Sequence, residues 1–154
     1  GGFLLGSKIK NNSTGNILLP LPTRDALLPL LTIMAASSKR NLTLSEIVRQ
    51  LPARFTHSGI LRDFPSETGH KIIQHLKNYG IAGIEKSFKQ FFGAVQAVDF
   101  TDGCRISFAT GEIIHFRPSG NAPEFRCYTE SSSIKTAKLN NNTALQIITK
   151  LGIK

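Results

Sequence analysis

The chain contains no tryptophan, one methionine and two cysteines, and its 10 acidic residues are outnumbered by 19 lysines and arginines. Cys104 and Cys127 are widely separated and sit in strand-like patterns, which argues against a zinc site or a C-x-x-C redox motif. Buried free thiols of a cytosolic protein are the expected state, with a disulfide as the alternative. No apolar run approaches the roughly 20 residues that a membrane-spanning helix requires, so a membrane protein is not expected. The four histidines (His57, His70, His75, His115) lack i, i+4 spacing and nearby carboxylate partners, so solvated or packed roles are expected rather than metal binding. Initiator Met and the basic-then-apolar pattern of a secretory leader are also lacking, and the chain reads as cut from something longer. The scarcity of acid leaves a net charge of +9. That excess favours anionic partners: nucleic acid, a membrane surface or a phosphorylated metabolite.

Residues 1–24 are rich in Gly, Asn, Ser and Pro and read as strand ends and loops around the apolar pieces at Phe3 to Leu5 and Ile17 to Leu19. Asp25 to Ala36 is apolar on nearly every side. That fits a helix packed into a larger core than this segment supplies, with Pro29 in its first turn. Thr43-Leu44-Ser45-Glu46 forms a capping-box pattern that predicts a short helix ending near Leu51. Residues 1–52 thus look like the tail of one domain, and 53–154 form another.

In the second part, Arg54 to Phe64 reads as a strand. Ser66 is a candidate N-cap for a helix over Glu67 to Tyr79 that Gly80 would end. Val95 to Phe100 and Cys104 to Ala109 flank Asp102-Gly103, a hairpin turn. Cys104, Ile106 and Phe108 alternate with Arg105 and Ser107, the period of a strand with one buried face. Strands at Glu112 to Phe116 and Phe125 to Thr129 follow. A helix over Ser133 to Leu151 closes the chain, weakened in its middle by Asn140, Asn141 and Asn142. The expected fold class is α+β, an antiparallel sheet with two helices on one face.

Between two of those strands lies Arg117-Pro118-Ser119-Gly120-Asn121-Ala122-Pro123-Glu124-Phe125-Arg126. Arg117 and Arg126 can present planar guanidinium forks to phosphate oxygens. Ser119 offers a hydroxyl, Gly120 lets backbone N–H groups converge on an anion as a nest, and Pro118 and Pro123 stiffen the ends. The same residues also suit an ordinary strand-connecting turn with solvated arginines. Spacing alone leaves both readings open.

At this loop the chain resembles the α-D-phosphohexomutases, specifically the bacterial phosphomannomutase/phosphoglucomutase type, whose last domain carries Arg-Pro-Ser-Gly-Thr-Glu-Pro followed closely by Arg. Arg117, Pro118, Ser119, Gly120, Pro123 and Arg126 match, while Asn121 and Ala122 replace Thr and Glu. The resemblance extends to Thr101-Asp102-Gly103-Cys104-Arg105-Ile106-Ser107-Phe108, and upstream to the segments from Gly1 to Ser7 and from Leu21 to Ala26. The Gly1 to Ser7 segment resembles the stretch after the sugar-recognition loop of the third domain, and Leu21 to Ala26 the start of that domain's final helix. It implies a TBP-like C-terminal domain preceded by the end of a third, sugar-binding α/β/α domain. It also implies a phosphate clamp made by Arg117, Ser119, Gly120, Asn121 and Arg126, acting on a mannose or glucose phosphate. Further implied are a phosphoserine enzyme with a bisphosphate intermediate, a Mg2+ ion whose ligands lie in N-terminal domains absent from this chain, and a cytoplasmic location. No catalytic residue is expected here, and the chain alone is expected to be inactive.

Two other functions fit part of the pattern. A basic nucleic-acid-binding module would use the +9 charge and an aromatic-bearing sheet with Phe108, Phe116 and Phe125. A phosphosugar-binding domain without catalysis is the third. Lys71, Lys77, Lys86 and Lys89 read as a solvated helix face. Asp99, Asp102 and Glu130 suit turn and rim roles, and His115, two residues before Arg117, either lines the site or points into the core.

Overall fold

A computed structural model describes residues 3–151. The chain divides into two compact units, Gly1–Pro52 and Ala53–Lys154.

The first unit is built from β1 (Phe3–Leu5), β2 (Ile9–Lys10), β3 (Ile17–Leu18), β4 (Leu21–Asp25), α1 (Leu27–Arg40) and α2 (Leu44–Arg49). β1 pairs with β4 and β2 with β3, both antiparallel. The helix expected from Asp25 begins instead at Leu27. Leu21–Asp25 is extended against β1, and the Asp25 carboxylate caps the helix by accepting the N–H groups of Leu27 and Leu28 at 2.8 and 3.0 Å. Asn41 ends α1 in the left-handed conformation. The Thr43–Glu46 capping box is fully formed at the start of α2. No residue of α1 is buried; Leu27, Leu30, Leu31, Ile33 and Met34 are all between 46% and 61% exposed.

The second unit holds β5 (Phe55–Leu61), α3 (Ser66–Phe92), β6 (Val95–Asp99), β7 (Cys104–Phe108), β8 (Ile113–Pro118), β9 (Phe125–Ser131) and α4 (Ile134–Lys150). Its five strands form one antiparallel sheet in the order β5-β9-β8-β7-β6. Period-two alternation divides the sheet's faces: Cys104, Ile106, Phe108, Ile114, Phe116, Phe125 and Cys127 are buried, while their strand neighbours are not. The buried set packs with Ile72, Leu76, Ile84, Phe88 and Phe92 of α3 and Ala144 and Ile148 of α4. Both helices therefore lie on one face, and the architecture is the α+β one expected. Phe88, Phe92, Phe108, Phe116 and Phe125 form a tilted and stacked ring network with centroids 5.2 to 6.1 Å apart. Each such ring contributes roughly 1.5–3 kcal/mol of burial.

Three local expectations change. α3 does not end at Gly80 but runs on to Phe92 across a kink, where Gly80 takes φ 63°. Beyond the kink Ile84, Phe88 and Phe92 recur every fourth residue and are buried, so a second apolar stripe sustains the helix. Ser66 does not cap α3, because its hydroxyl donates to the Ser119 carbonyl at 3.0 Å and Pro65 stands at the cap position. The asparagines do not interrupt α4. Asn141 is fully buried and donates to the Cys127 carbonyl at 2.8 Å, and Asn140 donates to the Glu112 carboxylate. Room for Asn141 comes from Gly59 on β5, where a Cβ would stand 2.0 Å from the Asn141 side-chain oxygen.

Gly103 and Gly111 have nearly equal φ, 88° and 85°, but a Cβ on Gly103 would meet the Phe116 carbonyl oxygen at 2.1 Å whereas one on Gly111 meets nothing within 4 Å. Gly111→Ala is expected to cost about 1–2 kcal/mol for its left-handed backbone, and Gly103→Ala about 2 kcal/mol more for the backbone collision. Urea unfolding of the two variants reads the difference directly, and equal losses would show that the Gly103 contact is unimportant.

Burial pushes both thiols up to about 12. Ellman's reagent is expected to leave native Cys104 and Cys127 unmodified at pH 8 and to titrate both in denaturant. A thiol pKa raised on folding stabilises below the unfolded value of about 9. As pH rises above that value the unfolded thiols ionise while the folded ones hold their protons, so stability falls progressively up to about 12. Denaturant midpoints measured between pH 8 and 11 test the sign.

Candidate functional site

β8 ends with Arg117-Pro118 and β9 begins with Phe125-Arg126, and the register sets Arg117 opposite Arg126 and Pro118 opposite Phe125. Because Phe116, Phe125 and Cys127 turn toward the helices, Arg117 and Arg126 fall side by side on the helix-free face. The segment between them is tied at several points. Ser119 N–H donates to the Glu124 carbonyl at 2.9 Å and Glu124 N–H to the Ala122 carbonyl at 2.7 Å. From outside the loop, Phe64 N–H donates to the Pro123 carbonyl at 2.8 Å and the Ser66 hydroxyl to the Ser119 carbonyl at 3.0 Å. Gly69 of α3 packs so closely that a Cβ there would stand 3.1 Å from Pro118 and Phe125.

The five expected site residues occupy different positions within this frame. Ser119 is buried, 4% exposed, and its hydroxyl oxygen accepts the Asn121 N–H at 3.4 Å. Gly120 and Asn121 are exposed at the tip. Gly120 does not take positive φ, and a Cβ on it would meet nothing within 4 Å. What glycine contributes there is open space above the backbone rather than the left-handed turn of a nest.

Each guanidinium already has a carboxylate neighbour. Arg117 Nε lies 3.1 Å from Asp102 Oδ1 and Arg126 Nη2 lies 3.2 Å from Glu124 Oε2. The neighbouring Tyr128 hydroxyl and Glu124 carboxylate hold the Arg126 guanidinium even more firmly protonated than usual. Its Nε is buried with no hydrogen-bond partner among the described residues.

The next row of the same face was not legible as a group in the sequence, although the alternation Arg126, Tyr128, Glu130 was available as a signal. Register places His115 opposite both Tyr128 and Arg105. The His115 and Tyr128 rings are 5.8 Å apart, and His115 Nε2 donates to the Asp102 carbonyl. His115 therefore lines the helix-free face instead of entering the core. Glu130 sits between Arg54 and Arg105 at 3.9 and 3.8 Å. Asp99 accepts the Thr101 hydroxyl and N–H in the hairpin turn, which lowers its carboxyl pKa. The carboxylates thus have turn and rim roles.

The lysines of α3 are exposed, with Lys71 and Lys89 paired to Glu67 and Glu85 at 3.0 Å. Phe108, Phe116 and Phe125 are at most 1% exposed, so none is available for base stacking. His70 Nδ1 bonds the Ser66 carbonyl and His75 packs against Tyr79. Among the described residues no group of three or more His, Cys, Asp or Glu is placed to hold a metal, and no helix is long and apolar enough to cross a membrane.

No protein-family model matches the chain. Two curated relatives do. A phosphomannomutase from Salmonella muenchen is 43% identical over 157 aligned residues, covering 99% of this chain and 31% of the relative. A phosphomannomutase from Sinorhizobium fredii (strain NBRC 101917 / NGR234) is 37% identical over 139, covering 90% of this chain and 28% of the relative. The chain thus spans about a third of the length of the curated relatives it matches. Together with the loop residues and the sheet that carries them, this makes the chain a relative of the bacterial phosphomannomutase-type phosphohexomutases, corresponding to their C-terminal part.

Proposed function

We propose that the chain is the phosphate-binding end of a phosphomannomutase-type isomerase that interconverts hexose 1-phosphate and hexose 6-phosphate. The observation that carries this reading is the pair Arg117 and Arg126, set opposite each other in register on a helix-free sheet face beside an exposed, tethered loop. Two adjacent guanidinium groups suit a dianion, and the fixed loop reduces the entropy lost on ordering around it. Ser119 supports the loop from within, while Gly120 and Asn121 leave its tip open to a ligand.

In this reading the clamp holds the phosphate that is not being transferred. The resemblance assigns transfer itself to a phosphoserine in a part of the enzyme that this chain does not match, through a bisphosphate that reorients between two transfers. A clamp serving both orientations recognises phosphate rather than the sugar ring, and its binding energy goes into orientation. The same resemblance implies magnesium. No group of three or more His, Cys, Asp or Glu that could hold it occurs among the described residues.

We further assign residues 1–52 to the end of the neighbouring sugar-binding domain. The half-exposed apolar side chains of α1 support this, since they suit burial against further chain. The basic-module alternative rests on the net charge of +9, and the burial of its three candidate stacking rings weighs against it.

In the complete mutase, Arg117→Ala is expected to raise KM for mannose 1-phosphate and to lower kcat/KM by roughly 10- to 100-fold, the loss of one charge-assisted contact. Coupled-assay kinetics in both directions measure it, and unchanged activity would remove the clamp assignment. Fluorescence anisotropy with labelled single-stranded RNA at low ionic strength is expected to show no saturable binding. Tight binding that weakens steeply with salt would favour the nucleic-acid reading instead.

A further inference from the structure

Asp102 is a carboxylate beside a site proposed to take an anion, an arrangement that simple electrostatics disfavours. Its surroundings show why it stands there. The residue is held from two positions of β8 on the helix-free face: the His115 ring donates to its carbonyl, and its carboxylate Oδ1 lies 3.1 Å from Arg117 Nε. The following residue, Gly103, is pressed against the Phe116 carbonyl so tightly that a Cβ would stand 2.1 Å from the oxygen. The hairpin turn is therefore locked onto the strand that carries Arg117. The contact engages Arg117 Nε and is the only ion pair of that guanidinium among the described residues, which leaves its terminal nitrogens free for a ligand.

We propose that Asp102 is a positioning residue of the phosphate clamp, holding Arg117 through Nε so that the terminal nitrogens are presented to phosphate. This rests on the reading of Arg117 as a phosphate contact. An arginine side chain has many rotamers, and fixing one of them before the ligand arrives removes part of the entropic cost of binding. With side chains 47% and 63% exposed, the pair adds little to folding stability, so its effect falls on orientation. Arg126 has a local counterpart in Glu124, two residues away in its own loop.

The alternative is that Asp102 only competes with phosphate for Arg117, and the two predict opposite signs. The test titrates the 154-residue chain and its variants with inorganic phosphate and with mannose 6-phosphate. Binding is followed by calorimetry and by the Arg117 Nε–H resonance, and thermal unfolding serves as a check on the fold. Asp102→Ala is expected to weaken binding of both ligands by roughly two- to fivefold despite the removal of a negative charge. Asp102→Asn, which keeps an oxygen at the place of Oδ1, should recover part of the affinity and keep the Nε–H shift nearer that of the parent chain than Asp102→Ala does. If both substitutions tighten binding, or neither changes it while Arg117→Ala abolishes it, the positioning role is overturned and the clamp stands. If the parent chain fails to bind either ligand at millimolar concentration, or Arg117→Ala binds as the parent does, the clamp reading fails and the positioning role with it.

Discussion

Everything on the helix-free face of the second unit depends on which side chains the sheet buries on the other. Cys104, Ile106 and Phe108 on β7, Ile114 and Phe116 on β8, and Phe125 and Cys127 on β9 must all meet α3 and α4. A slip of one residue between β8 and β9 would turn Arg117 or Arg126 into the phenylalanine network, at the cost of burying an unpaired charge. The apolar half of each strand thereby fixes the register of the charged half. The opposition of Arg117 to Arg126 is a consequence of core packing as much as of any demand made by a ligand.

The second constraint is polar and lies within the core. Asn141 binds the Cys127 carbonyl from α4, the Thr129 hydroxyl donates to the Ala137 carbonyl at 2.7 Å, and the Ser131 hydroxyl donates to Glu112 at 3.0 Å. These bonds tie α4 and the β7–β8 connection to β9, while Gly59 makes space for Asn141 beneath β5. Buried groups of this kind are costly when unpaired, so they restrict how α4 can rotate on the sheet. β9 is held in place by phenylalanine packing toward its start and by hydrogen bonds toward its end, and Arg126 is carried near that start.

The result is a face of paired charges. Positive groups are gathered on one face, each balanced by a carboxylate from a turn or loop: Asp102 for Arg117, Glu124 for Arg126, and Glu130 for Arg54 and Arg105. A surface of this type can take up an anion by exchanging weak, solvated ion pairs for stronger ones, as the proposed clamp requires.

Much of this was legible from residue order because it follows from local rules. The strand alternation from Cys104 to Phe108, the Asp102-Gly103 turn, the Thr43–Glu46 capping box and the burial of both thiols depend on period, turn chemistry and composition. Local rules failed where a distant partner decided the outcome. Gly80 looked like a terminus, but Ile84, Phe88 and Phe92 found the sheet and carried the helix past it. Ser66 looked like a cap, but its hydroxyl found the Ser119 carbonyl, and three consecutive asparagines looked disruptive until the Cys127 carbonyl and the Glu112 carboxylate took up the side-chain N–H groups of two of them. In the loop, the sequence alone determined that two arginines and a polar, glycine-containing turn occur together. Only the tertiary structure decided that the arginines stand side by side on the open face, that Ser119 turns inward, and that Asp102 and His115 join them, because strand register and hairpin packing bring together residues that chain order keeps apart.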